Sequence, residues 1–333
     1  MKKYKVYGIG AALVDTEIKV DDSDLAAMNV EKGLMTLVDE DRLNELLVHL
    51  QGHLITAVHS SGGSGGNTVI ATAGFGAPAY MSCIVANDID GDIYIADLES
   101  AGVDHSMTGP RESGITGKCL VLITPDAERS MNSYLAINDT LSLDQVDGKA
   151  IEDSEWVYIE GYRVTSDTSR QAAIKTREIA EAAGVKTALS FSDPGMVEFF
   201  REGMQEMIGE KIDLIFCNEA EAKGWSDTQD LDIAIEGLKK TANSFALTLG
   251  ARGSIVFDGT TTTNIDAHPV NALDSNGAGD MYAGAFLYAI THGEDFATAG
   301  RFASLAAGKI VSKYGPRLAA NEYAELRAEF FAD

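Results

Sequence analysis

Short apolar runs that alternate with segments of helical spacing constrain the fold of this chain more than any other feature. Tyr4–Ile9, Ala79–Val85, Trp156–Ile159, Thr187–Leu189, Leu214–Cys217 and Phe245–Leu249 are nearly continuous in apolar residues and read as buried strands. Between them, Asn67–Phe75, Asp92–Ala101, Thr168–Ala183, Met196–Ile208 and Leu231–Asn243 carry apolar residues at helical spacing. Strand alternating with helix implies right-handed crossovers, so the expected class is α/β, a mostly parallel sheet flanked by helices.

Two segments break this rhythm. Residues 15–60 and 103–135 are polar, β-type and too long for ordinary βα loops. They carry strand signals of their own, such as Gly117–Ile123, and are expected to build a small β-rich lid. Residues 1–14, 61–102 and 136–333 then form the main domain, closed by a terminal helix over Tyr323–Phe331 that docks through Leu326 and Phe330.

Composition bears on partners. Lys and Arg total 26 against 51 Asp and Glu, a formal charge of -25 in 333 residues. A field of that sign repels nucleic acid and anionic lipid, and no basic run offsets it. The three cysteines, Cys83, Cys119 and Cys217, lie in apolar contexts without a CxxC or Cys/His cluster, as expected of free thiols in a reducing compartment. No signal peptide or membrane span is visible, and a cytoplasmic location is expected.

The chemistry concentrates in DSNGAGDMYAGAF, Asp274 to Phe286. Gly277, Ala278 and Gly279 precede a helical pattern, which leaves backbone N–H groups free where the helix dipole also favours negative charge. Such a nest suits the charge that develops on a phosphoryl group in transfer. Asp280 at its mouth is a poor phosphate ligand but a sensible base for an attacking hydroxyl; the bland alternative is a helix cap. A second cluster, GGSGGN from Gly62 to Asn67, also opens a helix, and Asn67 offers a hydroxyl both a donor and an acceptor. There is no GxxxxGK[ST], and the strand lysine, HRD and DFG set is also absent.

These motifs resemble those of the ribokinase (PfkB-type) family of carbohydrate and nucleoside kinases, and the similarity runs over nearly the whole chain. DSNGAGD with MYAGAF is similar to the C-terminal family signature, and GGSGGN with TVIATAGFG to the N-terminal one. The resemblance implies a ribokinase-like fold that uses ATP and Mg2+. In it Gly277, Ala278 and Gly279 form the anion hole and Asp280 is the catalytic base. Asp15, Gly66 and Asn67 would bind substrate hydroxyls. In NEAE, Asn218 and Glu221 would organise magnesium through water; the bland alternative is a helix start. Thr248, Gly250 and Gly253 of TLGARG would line the nucleotide side, and Ser304 and Ala307 of ASLAAGKIVSKYGP the adenine. Ser304 stands where the family commonly has Asn. A monovalent cation beside Asp274 is left open, as is the choice between monomer and homodimer.

The acceptor is to be read from the lid. SGITGKCLVLITPDAERSMNSYLAIN resembles the lid of adenosine kinase-like members, in which Arg129 would reach the transferred phosphate; the alternative is a solvated surface arginine. Leu13 gives an apolar wall suited to a purine, although fructokinase-like members share it. A nucleoside leads, and a pentose or hexose follows. A dinucleotide-binding oxidoreductase is suggested by Gly8–Gly10 but lacks the third glycine of that fingerprint, since Leu13 stands there. A non-catalytic nucleoside-binding protein would not need Asp280.

Overall fold

A computed structural model describes residues 2–53, 58–126 and 128–331. Residues 54–57 of the first expected lid segment lie outside the described residues. The strands are β1 (Tyr4–Ile9), β2 (Leu13–Lys19), β3 (Met35–Leu37), β4 (Val58–Gly62), β5 (Ala79–Ser82), β6 (Val103–His105) and β7 (Gly117–Ile123). After these come β8 (Arg129–Tyr134), β9 (Ser154–Ile159), β10 (Lys186–Ser190), β11 (Ile212–Asn218), β12 (Ala242–Thr248), β13 (Ser254–Phe257) and β14 (Thr262–Ile265).

Among the described residues these form two sheets. The nine-stranded sheet runs β14-β13-β12-β11-β10-β9-β1-β5-β6. Its pairings from β12 through β6 are parallel, and only β13 and β14 add antiparallel edges. Val6, Tyr7 and Ile9 of β1 are fully buried, as a strand covered on both faces requires. One face packs under Ala172, Met204 and Leu238 from three helices; the other packs under the Ala278–Thr291 and Phe296–Val311 helices through Phe286 and Phe302.

The five-stranded sheet runs β3-β8-β7-β2-β4. Period-2 alternation divides its residues. Ile18, Leu120 and Leu122 pack beneath Leu43 and Leu46 of the Glu40–His49 helix, while Leu13, Cys119 and Val121 point the other way. Cys83, Cys119 and Cys217 are buried free thiols.

Several expected boundaries move. Residue 103, where the second lid segment was expected to begin, lies in β6, which pairs with β5 on the edge of the large sheet through Ala79 and Val103. The helix expected over Met196–Ile208 is two helices, Pro194–Phe199 and Arg201–Ile208, broken where Phe200 leaves helical geometry at φ -123°, ψ 25°. The helix expected to reach Asn243 stops at Thr241, because Ala242 is already extended and opens β12. The strand expected over Ala79–Val85 ends at Ser82.

Candidate active site

The carboxyl ends of β1, β9, β10, β11 and β12 open toward the small sheet, the usual place for a ligand in an α/β fold. A cavity of about 400 Å³ lies there. Gly277, at φ 71° and ψ 4°, is the left-handed N-cap of the Ala278–Thr291 helix. The Ala278 amide turns back onto the Ser275 carbonyl at 3.3 Å, which leaves the amides of Gly277 and Gly279 for a ligand. Gly277 tolerates no side chain, since a Cβ there would lie 2.7 Å from Pro316 Cβ and 2.8 Å from the Pro316 carbonyl oxygen.

Asp280 sits in the first turn of that helix and lines the cavity. Ser64 Oγ donates to its Oδ1 at 2.6 Å, and Asn67 Nδ2 donates to its Oδ2 at 3.1 Å. Withdrawal from solvent raises its pKa to about 6, against the pull of those two hydrogen bonds. Asp15, buried on β2, lines the same cavity and is pushed up to about 7 by burial, opposed by the charge of Arg317. Two carboxyls with proton affinities near neutrality in one cavity mark it as a candidate active site.

Glycine serves Asp15 from the opposite strand. Gly62 on β4 pairs with Leu13, and a Cβ on Gly62 would lie 2.2 Å from the Asp15 carboxyl. Gly66, expected to bind substrate, does not line the cavity; its absent side chain makes room for the Tyr94 hydroxyl, which a Cβ would meet at 2.4 Å. Asn67, Gly63 and Ser64 do line the cavity.

On the nucleotide side, Asn218 and Glu221 form a reciprocal capping box. The Glu221 amide donates to Asn218 Oδ1 at 2.9 Å, and Asn218 N–H donates to Glu221 Oε2 at 2.9 Å. Asn218 Nδ2 also donates to Glu221 Oε1 at 2.7 Å. Both residues line the cavity, and burial pushes Glu221 up to about 8. Among the described residues no group of three His, Cys, Asp or Glu side chains could hold a metal. One amide and one buried carboxylate fit a cation that keeps its waters and is held mainly by phosphate oxygens.

Thr248 borders both the cavity and an adjoining groove that contains Gly250. Gly253 borders neither: at φ 88° its Cβ would lie 2.0 Å from the Ile265 carbonyl oxygen, so it is required by the turn into β13. Ser304 donates to the Asp266 carbonyl at 2.9 Å, and neither it nor Ala307 lines the cavity.

Arg129 is not a solvated surface arginine. It is buried at the start of β8, ion-paired with the fully buried Asp274 and 3.5 Å from Glu17 Oε1. Asp274 also accepts from the Asn276 and Gly315 amides, both at 2.8 Å. The guanidinium has no well-aligned hydrogen bond and lines the cavity.

Ser64, Glu160 and Arg317 were not singled out in the sequence. Glu160 follows β9 and accepts from the Ala11 amide at 2.5 Å, with Arg163 Nε 3.2 Å from the same oxygen. Arg317 follows the YGP turn and reaches Asn67. Ser64 lay inside a motif read for its glycines.

A family profile described as pfkB family carbohydrate kinase matches residues 38–322. The chain is 26% identical over 333 residues to an adenosine kinase of Saccharomyces cerevisiae, covering 92% of this chain and 95% of that one. The adenosine kinase structure from Sinorhizobium meliloti is 32% identical, with a TM-score of 0.87 over 97% of this chain and 99% of that one. A probable sugar kinase structure from Rhizobium etli CFN 42 is 29% identical, with a TM-score of 0.93 over 99% and 100% of the two chains.

Proposed function

The chain belongs to the pfkB family of carbohydrate kinases, and from that premise we propose that its cavity transfers the γ-phosphoryl group of ATP to the hydroxymethyl oxygen of an adenosine-like nucleoside. The observation that carries the chemistry is Asp280, held by Ser64 and Asn67 at the mouth of the glycine nest. In this reading Asp15 and Asn67 hold acceptor hydroxyls, and the acceptor oxygen lies against Asp280. Its bond to the γ-phosphorus forms as the bridging bond to ADP breaks, and its proton passes to Asp280. The Gly277 and Gly279 amides, with the Arg129 guanidinium, face the charge on the phosphoryl oxygens. Magnesium, when bound with ATP, neutralises phosphate charge, and Asn218 and Glu221 would hold its waters. Residues of the small sheet serve as the lid, covering the acceptor and excluding water.

The nucleoside reading rests on the wall over the acceptor end. Leu13, Met35, Leu37, Met131 and Leu135 line it, a surface that covers a flat base and offers little to a small polyol. Burying roughly 100 Å² of base against such a wall is worth about 2–3 kcal/mol, so kcat/KM for adenosine should exceed that for ribose or fructose by about 10². Acceptor-dependent ADP release across those compounds measures it. A preference for ribose or fructose would replace the nucleoside by a sugar.

The water-mediated role of Glu221 has its own test. Glu221→Gln keeps an acceptor for the Asn218 amide but loses the second acceptor and the carboxyl that a nearby cation would ionise, and should raise the magnesium needed for half-maximal rate at fixed ATP. An unchanged magnesium dependence would leave Glu221 as a cap.

A further inference from the structure

We propose that Arg317 is a positioning residue for the base, fixing the Asn67 amide so that its Nδ2 end faces Asp280. The proposal rests on Asp280 being the base. Arg317 Nε donates to Asn67 Oδ1 at 3.0 Å, and Asn67 Nδ2 donates to Asp280 Oδ2 at 3.1 Å. An amide has one accepting and one donating end, a guanidinium only donates and an ionised carboxylate only accepts. Between Arg317 and Asp280, therefore, one orientation of Asn67 satisfies both neighbours. The flipped orientation sets oxygen against oxygen and N–H against N–H.

Arg317 is itself held. Its Nη1 donates to Ser61 Oγ at 2.5 Å and lies 3.1 Å from Asp97 Oδ2, which also accepts from Ser61 Oγ. A directional chain thus runs from Asp97 through Arg317 and Asn67 to Asp280. It joins the helix Ile89–Ser100, the loop before Ala320–Phe330, the helix Ser64–Gly74 and the helix of the base. Pro316, the preceding residue, packs on Gly277, so one loop supports both the nest and the base.

The charge matters as well as the geometry. Glu160 from the end of β9 and Asp15 from β2 face Asp280, as do the hydroxyls of Tyr158 and Tyr162. Arg163 pairs with Glu160 and Arg129 also acts on Asp15, while Arg317 favours the ionised forms of both Asp15 and Asp280. Without it Asp280 holds its proton to higher pH.

The test compares wild type, Arg317→Gln and Arg317→Lys. In Arg317→Gln the acidic limb of kcat/KM should move up by about one pH unit, with kcat near neutrality down by roughly tenfold. Arg317→Lys keeps the charge but not the fork, so the limb should return while kcat recovers only in part. A purely structural arginine would lower the melting temperature and leave the limb in place. The same quantity is read without turnover by carbon NMR titration of the Asp280 carboxyl, assigned with Asp280→Asn. A wild type inactive on every acceptor would thus count against the kinase reading, while the titration still decides this one. An Asp280 titration that coincides in wild type and folded Arg317→Gln overturns the proposal. Should Arg317→Gln fail to fold, Arg317→Lys with wild-type kcat overturns it equally.

Discussion

Asp280→Asn is expected to lower kcat by roughly 10²–10⁴ while the protein still folds and binds ATP. The asparagine oxygen can accept from Ser64 or Asn67, and the glycine amides that face phosphate are untouched. What is lost is a carboxylate that takes the proton of the attacking hydroxyl. The pH dependence follows from the raised proton affinity. A base that titrates at about 6 gives the wild type an acidic limb near that pH, with activity falling below it. The sign for stability is opposite. A carboxyl whose folded pKa lies above its unfolded value favours folding fully at low pH, and that contribution is lost as pH rises through about 6. The substituted amide carries no charge to bury, so the variant should be more stable than wild type by up to about 3 kcal/mol at pH 8, with no such gain below about pH 4. Steady-state kinetics beside thermal melts at the two pH values measure both. A variant with the expected melts and wild-type turnover would leave Asp280 as a helix cap.

Gly277→Ala is expected to lower kcat/KM by about 10²–10³ through the nest. The residue sits at φ 71° with ψ 4°, where an L side chain costs about 1–2 kcal/mol. Here the Cβ also meets the backbone and ring of Pro316 at 2.7–2.8 Å, and neither can swing aside as a flexible side chain would. Relief of that contact must move either the helix N-terminus or the loop that carries Arg317. Gly279→Ala is the control, because a Cβ there meets no protein atom within 4 Å. Denaturant unfolding should show Gly277→Ala destabilised by about 1–3 kcal/mol and Gly279→Ala close to wild type. Equal stability for the two would show that the left-handed cap is not under constraint.

The large sheet was legible because strands buried on both faces are apolar throughout, and Tyr4–Ile9 coincides with β1. Other strands are longer than their apolar runs. Lys186, Ser190 and Asn218 hold ladder positions while their side chains answer to neighbours at the sheet ends. The break at Phe200 carries no proline or glycine to announce it. The register of the small sheet was not legible, since β7 is apolar on both faces from Cys119 to Ile123 and the strands pair across gaps such as Leu13 to Gly117.

In the site, Asp280 and Gly277 were visible because nest and base lie within one turn of helix. Ser64 and Arg317 were not, because each acts through a side-chain contact with a partner more than 200 residues away in sequence. Gly66 carries a second demand that the motif does not announce. A glycine in a ligand motif reads as ligand-facing, and the space its missing side chain leaves is taken by Tyr94.

Transfer of radiolabel from γ-labelled ATP to adenosine, in wild type and Asp280→Asn side by side, tests the phosphoryl-transfer account most directly. The prediction is acceptor-dependent labelled product from the wild type and at least about a hundredfold less from Asp280→Asn at equal ATP occupancy. Label transfer by Asp280→Asn at the wild-type rate, or ADP release by the wild type that is indifferent to adenosine, ribose and fructose alike, would contradict it.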